Sequence, residues 1–140
     1  MILHPQLRQD SFILGRFELS LLLLLNDSQY PWFILVPQRE HISEIHHLSP
    51  TDQQTLMQES SMLASAIEKA FAADKVNIAA LGNIVPQLHL HHIARYTSDI
   101  AWPKPVWGAF PAKPYTDEEL AIVKQHILTH LPALQIDKAA

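Results

Sequence analysis

Three of the nine histidines lie within four residues, in the run Gln87-Leu88-His89-Leu90-His91-His92-Ile93-Ala94-Arg95. Its apolar residues, with a Gly-Asn and a Pro before it, predict a strand over Leu88 to Tyr96. Side chains on a strand alternate faces, so Gln87, His89, His91, Ile93 and Arg95 share one side. Leu88, Leu90, His92 and Ala94 share the other. Two imidazoles, an amide and a guanidinium make a poor core and a plausible polar site. The second face is apolar apart from His92 and is expected to pack under helices. Imidazole has its ordinary pKa nearest neutrality and serves as nucleophile, acid or base.

Three chemistries are open to such a row. Surface or internally bonded histidines with no function are one. A metal site is the second, because His-x-His on a strand points two ligands one way. Zinc then needs a third ligand, for which Glu40, His41, Glu44, His46 and His47 are available though no spacing demands one. A metal-dependent enzyme of this kind should also carry a glutamate soon after the motif, and none occurs between His92 and Asp117. The third is covalent catalysis by one histidine, oriented by its neighbours two residues away. Elsewhere, His41, His46 and His47 read as turn and surface residues, with His41 able to line the mouth of a site. His126 and His130, one helical turn apart, read as a solvated helix face. Trp102 and Trp107 read as packing residues, or as rings closing over a base.

The elements that must position this row follow from capping and periodicity. Phe17 to Leu25 is predicted as a strand stopped by Asn26-Asp27-Ser28, and Tyr30 to Val36 as a second strand closed by Pro37, the two forming a hairpin. Ser49-Pro50-Thr51-Asp52 opens a helix, with Ser49 as N-cap and Asp52 placed to cap back. Leu56, Leu63, Ile67 and Ala70 or Phe71 recur at helical spacing through about Ala73. Val76 to Leu81 reads as a buried strand. Residues 102–108, broken by prolines, read as a loop. Thr116-Asp117-Glu118-Glu119 is a capping box for a helix reaching Leu131, with Leu120, Val123, Ile127 and Leu131 as its buried stripe. These elements give an α+β fold: an antiparallel sheet covered by one long helix and a C-terminal helix.

The 140 residues carry 10 basic and 14 acidic side chains, a formal charge of -4, and no cysteine. That length suits a single domain over residues 1–140 with a core that needs no disulfide. The absence of cysteine removes thiol nucleophiles and thiolate ligands. No basic cluster suggests a nucleic-acid partner. The longest apolar run, Leu21 to Leu25, is far short of the roughly 20 residues of a membrane span. A cytoplasmic protein with no membrane partner is expected.

Pro86-Gln87-Leu88-His89-Leu90-His91-His92-Ile93-Ala94 resembles the motif of the histidine-triad (HIT) family, in which histidines alternate with apolar residues. Phe33-Ile34-Leu35-Val36-Pro37, followed by Arg39, His41 and Ile42, is similar to that family's strand ending in Val-Pro. The helix from Ser49 and the strand ending at Asn83 follow in the family's order, so the likeness covers roughly Phe17 to Arg95. The resemblance implies a HIT-like fold and a nucleotide phosphohydrolase or nucleotidyl transferase. Its substrates would be dinucleoside polyphosphates (Ap4A-like) or nucleoside phosphoramidates, through a nucleotidyl-histidine. A catalytically weak nucleotide-binding module of the same fold is the alternative.

It further implies that His89 is the nucleophile, that His91 contacts the phosphate and leaving group, and that Asp27 or Asn26 binds ribose. Asn83 would lie near the phosphate, and Trp32 stands where several relatives place another histidine. A purine nucleotide substrate and a homodimer are expected, with no cofactor and no catalytic metal, since a nitrogen bound to zinc cannot attack phosphorus. Gln87 departs from the motif at its first histidine. It cannot become cationic, which weakens proton handling there. Only Ile84-Val85-Pro86 separates Asn83 from Gln87, shorter than the polar loop of many relatives.

Overall fold

The computed structural model describes residues 1–137. Helix α1 (Pro5–Asp10) leads into strands β1 (Ser11–Arg16), β2 (Ser20–Leu25) and β3 (Trp32–Pro37). The long helix α2 (Pro50–Phe71), strands β4 (Lys75–Ala79) and β5 (Leu90–Arg95), helix α3 (Asp117–Thr129) and the short β6 (Gln135–Ile136) follow. Each pairing is antiparallel, in the order β4-β5-β3-β2-β1-β6. Strand β5, which begins two residues after the predicted Leu88 and carries His91 and His92 with His89 just ahead of it, is therefore internal, between β3 and β4.

The predicted α+β architecture holds, with differences at its edges. Phe17 to Leu19 is a turn, and a strand that the sequence did not announce, β1, precedes it. Gly15 lies where β6 crosses so closely that a Cβ would collide with the Gln135 carbonyl. The β2–β3 hairpin forms as expected, with Leu22 opposite Leu35. Ser49 caps α2, accepting from the Asp52 amide at 3.1 Å. Asp52 itself turns away from the cap to hold Arg39 through two bonds of 2.7 and 3.2 Å, because a guanidinium fork outcompetes a lone backbone amide for a carboxylate. Thr116 and Glu119 form the complete capping box of α3.

Two cores sandwich the sheet. On one face Leu22, Leu24, Phe33, Leu35, Leu90 and Ala94 pack beneath Leu56, Leu63 and Ile67 of α2 and Ile127 of α3. On the other, Leu23, Ile34, Val36 and Ile93 pack against Leu3, Leu7, Val85, Ala101 and Val106. No helix covers this second face over its length; loops and α1 do, which leaves room for a cleft beside the histidines.

Candidate active site

The alternation predicted for the motif decides where each histidine goes. His92 faces α2 and is fully buried. Its Nδ1 lies 3.1 Å from the Leu90 carbonyl, which can only accept, so Nδ1 carries the proton. Nε2 is then an acceptor, and the Ser60 hydroxyl donates to it at 2.7 Å. Burial pushes the pKa of His92 down to about 4. This imidazole is a neutral strut between the motif strand and the long helix, without access to a substrate.

His89 and His91 face the other way, with ring centroids 4.9 Å apart. The same partner logic fixes their protons. His89 Nδ1 is 2.7 Å from the Gln87 carbonyl and must donate to it, so Nε2 keeps a free lone pair. Burial lowers the pKa of His89, opposed by the bond to Gln87, and the neighbouring His4 lowers it further. The result is a neutral ring with Nε2 unprotonated near neutrality. His91 is set in the opposite sense. The Trp32 indole, which can only donate, points Nε1–H at His91 Nδ1 at 2.9 Å. Nδ1 is therefore the acceptor and Nε2 bears the proton. Burial, then the neighbouring His89 and His92, bring the pKa of His91 down to about 3. One ring offers a lone pair and its neighbour offers an N–H.

Trp32 reaches His91 diagonally, since the direct partner of His91 on β3 is Ile34. Trp107 closes the arrangement edge-on, with centroids 5.8 Å from Trp32 and 5.2 Å from His91. In front of the rings is a cleft of about 390 Å³. His89 and His91 line it with Asn83, Trp107 and, from α1, Gln6 and Asp10. Its apolar wall includes Leu7, Ile34 and Val85.

The remaining predicted residues divide. Asn83 is in the cleft wall. Gln87 supplies its carbonyl to His89, but its side chain runs the other way, accepting from the His4 amide at 2.8 Å and donating to the Ile2 carbonyl at 3.1 Å. Asn26 and Asp27 are not among the cleft residues: Asn26 accepts from the Tyr115 amide, and one Asp27 oxygen accepts from Gln29 and from the Lys113 amide. Arg95 shares the face of His89 and His91 yet is not part of the site. Six residues along a strand is roughly 20 Å, and there Arg95 is buried and bonded to Asp99, Asn77 and the Lys104 carbonyl. His41 is exposed beside an open hollow of about 500 Å³ that Gln87 also borders.

Sequence reasoning missed Gln6 and Asp10. Asp10 is a carboxylate in the cleft wall, bonded to Gln6 at 2.7 Å. Its only sequence signal was Pro5 at a possible helix start after His4. Among the described residues no group of three or more His, Asp or Glu side chains is arranged to hold a metal ion, and no helix is long and apolar enough to cross a membrane.

The HIT domain family matches residues 6–98. A histidine triad protein from Marinobacter aquaeolei VT8 is 49% identical, over 96% of this chain and 98% of that one, with a TM-score of 0.93. One from Sinorhizobium meliloti 1021 is 44% identical over 93% and 96%, with a TM-score of 0.91. One from Bradyrhizobium japonicum is 41% identical over 92% and 96%, with a TM-score of 0.90. No protein with a curated description matches the chain. A lone-pair nitrogen and an N–H donor, side by side on the histidine motif, thus stand in a chain that belongs to the histidine-triad family.

Proposed function

We propose that this protein is a nucleotide phosphohydrolase or nucleotidyl transferase acting at the α-phosphorus, with His89 as nucleophile. The observation that carries the reading is the opposed proton placement: His89 presents a free Nε2, and His91 beside it presents Nε2–H. His89 Nε2 would form the new N–P bond as the bond from phosphorus to the leaving group breaks. The Gln87 carbonyl on Nδ1–H stabilises the positive charge that the ring gains. His91 donates to a phosphoryl oxygen, where charge accumulates in the transition state. Water then attacks phosphorus and breaks the N–P bond, restoring His89 and releasing the nucleoside monophosphate. Asn83, in the cleft wall, would contact the phosphate. Asp10 is the carboxylate within the cleft that suits a ribose hydroxyl, a role the family resemblance implied for Asn26 or Asp27.

The substrates that fit this scheme are dinucleoside polyphosphates and nucleoside phosphoramidates. Leu81, Ile84 and the half-buried Trp107 offer apolar surface for a purine. The test is rapid quenching with a labelled adenosine substrate and mass spectrometry of the peptide holding residues 87–95. An acid-labile AMP adduct on His89, absent in His89→Ala, is expected. An adduct on His92, or full turnover by His89→Ala, would refute the mechanism. A binding module with little turnover is the second reading, favoured by the Gln87 side chain, whose amide is committed to the segment before α1. Tight AMP binding without turnover of either substrate class would select it. We also propose a homodimer, because β4 is an open sheet edge and Ile78 on it and Met57 on α2 are exposed.

A further inference from the structure

The amide at the first triad position is turned toward the start of the chain. Gln87 Oε1 accepts the backbone N–H of His4 at 2.8 Å. Gln87 Nε2 donates to the carbonyl of Ile2 at 3.1 Å and more weakly to Met1 Sδ at 3.4 Å. An amide side chain carries a donor and an acceptor side by side, which suits a stretch of backbone. Among the described residues, every hydrogen bond joining residues 1–9 to the rest of the chain comes from this one side chain. Apolar contact completes the hold, with Leu3 and Leu7 buried on the site face of the sheet beside Ile34 and Val85.

The segment held in this way has little order of its own. Helix α1 is six residues long, and an isolated helix of that length is not stable in water. Its C-terminal end is fixed, because Asp10 runs directly into β1 and its carbonyl accepts the Asn26 amide at 2.9 Å. Its N-terminal end is fixed by Gln87. Between the two ends, Gln6, Leu7 and Asp10 form one wall of the cleft that His89 and His91 line. Gln6 donates to the Asp10 carboxylate at 2.7 Å, so the seating of the helix also orients that carboxylate. The Gln87 backbone carbonyl, meanwhile, accepts from Nδ1–H of His89. One residue thus reaches both sides of the cleft, the nucleophile through its main chain and the facing wall through its side chain.

We propose that Gln87 is a positioning residue for the substrate: its side chain docks α1, so that Gln6, Leu7 and Asp10 make a nucleoside-binding wall at a set distance from His89. The inference rests on the cleft being a nucleotide site, as argued above. The position that the family motif gives to a histidine here serves binding geometry, and its side chain takes no part in proton transfer.

Gln87→Ala removes the side-chain bonds and keeps the carbonyl on His89. The KM of an adenosine phosphoramidate and the Kd of AMP are expected to rise about tenfold, as for the loss of one or two hydrogen bonds from an equilibrium, with a much smaller change in kcat. Hydrogen exchange at the amides of residues 8–10 should quicken while that of residues 90–94 stays slow. Gln87→Glu, close to isosteric, separates the clasp from a general loss of stability. A carboxylic acid donates to Ile2 and accepts from His4, whereas a carboxylate only accepts. The ratio of the Kd of AMP for Gln87→Glu to that of wild type at the same pH should therefore approach one as pH falls from 7 to 5, with no such recovery in Gln87→Ala. Wild-type KM and Kd in Gln87→Ala, or a fall in kcat at unchanged KM, would overturn the proposal. If Gln87→Ala does not fold, the Gln87→Glu ratio decides, and a ratio that does not move with pH overturns it. No AMP binding and no turnover by the wild type would overturn the reading of the cleft, and the role of Gln87 with it.

Discussion

Replacing Trp32 by phenylalanine removes one hydrogen-bond donor from a buried aromatic cluster and leaves every residue of the triad in place. Trp32 is 6% exposed and its indole N–H is the partner of His91 Nδ1. In the variant, the Nε2–H tautomer of His91 would leave Nδ1 as a buried, unpaired acceptor, at a cost of about 1–3 kcal/mol. The alternative tautomer would turn a lone pair toward the phosphoryl oxygens, where it repels charge. Avoiding that cost favours the second tautomer, which takes one donor from the transition state, and a loss of roughly 1.5–3 kcal/mol corresponds to a rate about 10- to 150-fold lower. Stability should fall as well. The smaller ring gives up edge contacts with Tyr30 and Trp107, so a total of about 2–4 kcal/mol is expected from the lost bond and the space left behind. Trp32→His, which restores a ring N–H, should recover more activity than Trp32→Phe at similar stability. The assay pairs steady-state turnover of an adenosine phosphoramidate with the ¹⁵N tautomer pattern of His91. Unchanged turnover in Trp32→Phe, with His91 still protonated on Nε2, would refute the claim that the indole sets the tautomer.

His92→Ala should keep most of the activity, yet cost about 2–4 kcal/mol of stability, because it opens a buried space and strands the Ser60 hydroxyl. A loss of activity larger than that of His91→Ala, measured under conditions where both are folded, would contradict the assignment of faces. Stability should also fall with acid: His92 is held near 4 and His91 near 3, against an ordinary 6.5. The unfolded chain takes up these protons first, so stability is fully present above about pH 6.5 and is lost as pH falls toward 4. At about 1.4 kcal/mol per pH unit, His92 alone accounts for on the order of 3 kcal/mol. Urea midpoints that stay level from pH 7 to 4.5 in the wild type would count against it. Gln87→His should lower turnover, since it sacrifices the bonds to Ile2 and His4; a faster enzyme would show that proton handling at this position was limiting. Light scattering at micromolar concentration should give twice the chain mass, and a single-chain mass would refute the dimer.

The sequence made the centre of this molecule readable and its border obscure. The motif strand was legible because its period of two is a property of backbone geometry, which separates His89 and His91 from His92 before any tertiary contact is considered. Helices α2 and α3 were legible from Ser49-Pro50 and Thr116-Glu119, whose bonds span three residues. Helix α1 was not. It is six residues long with Leu7 as its one buried side chain, and what holds the segment ahead of it is Gln87, from the far side of the chain. Strand β1 was hidden for a related reason: Gly15 and polar ends give no alternating pattern, and its pairing with β2 and β6 supplies the order. Arg95 shows the limit of reasoning by face. Periodicity gave its side correctly, but distance along the strand and the nearby Asp99 decided its role.

The bond from Ser60 to His92 joins β5 to the longest helix through the back of the sheet. Local melting of β5 would break that bond and expose the faces of both cores at once. The active site therefore has no softer state of its own to pass through on heating. Inactivation and global unfolding should follow one curve, and the amides of residues 90–94 should be among the last to exchange with solvent. Flexibility for admitting a substrate must come from the other wall, where α1 rests on two leucines and an amide.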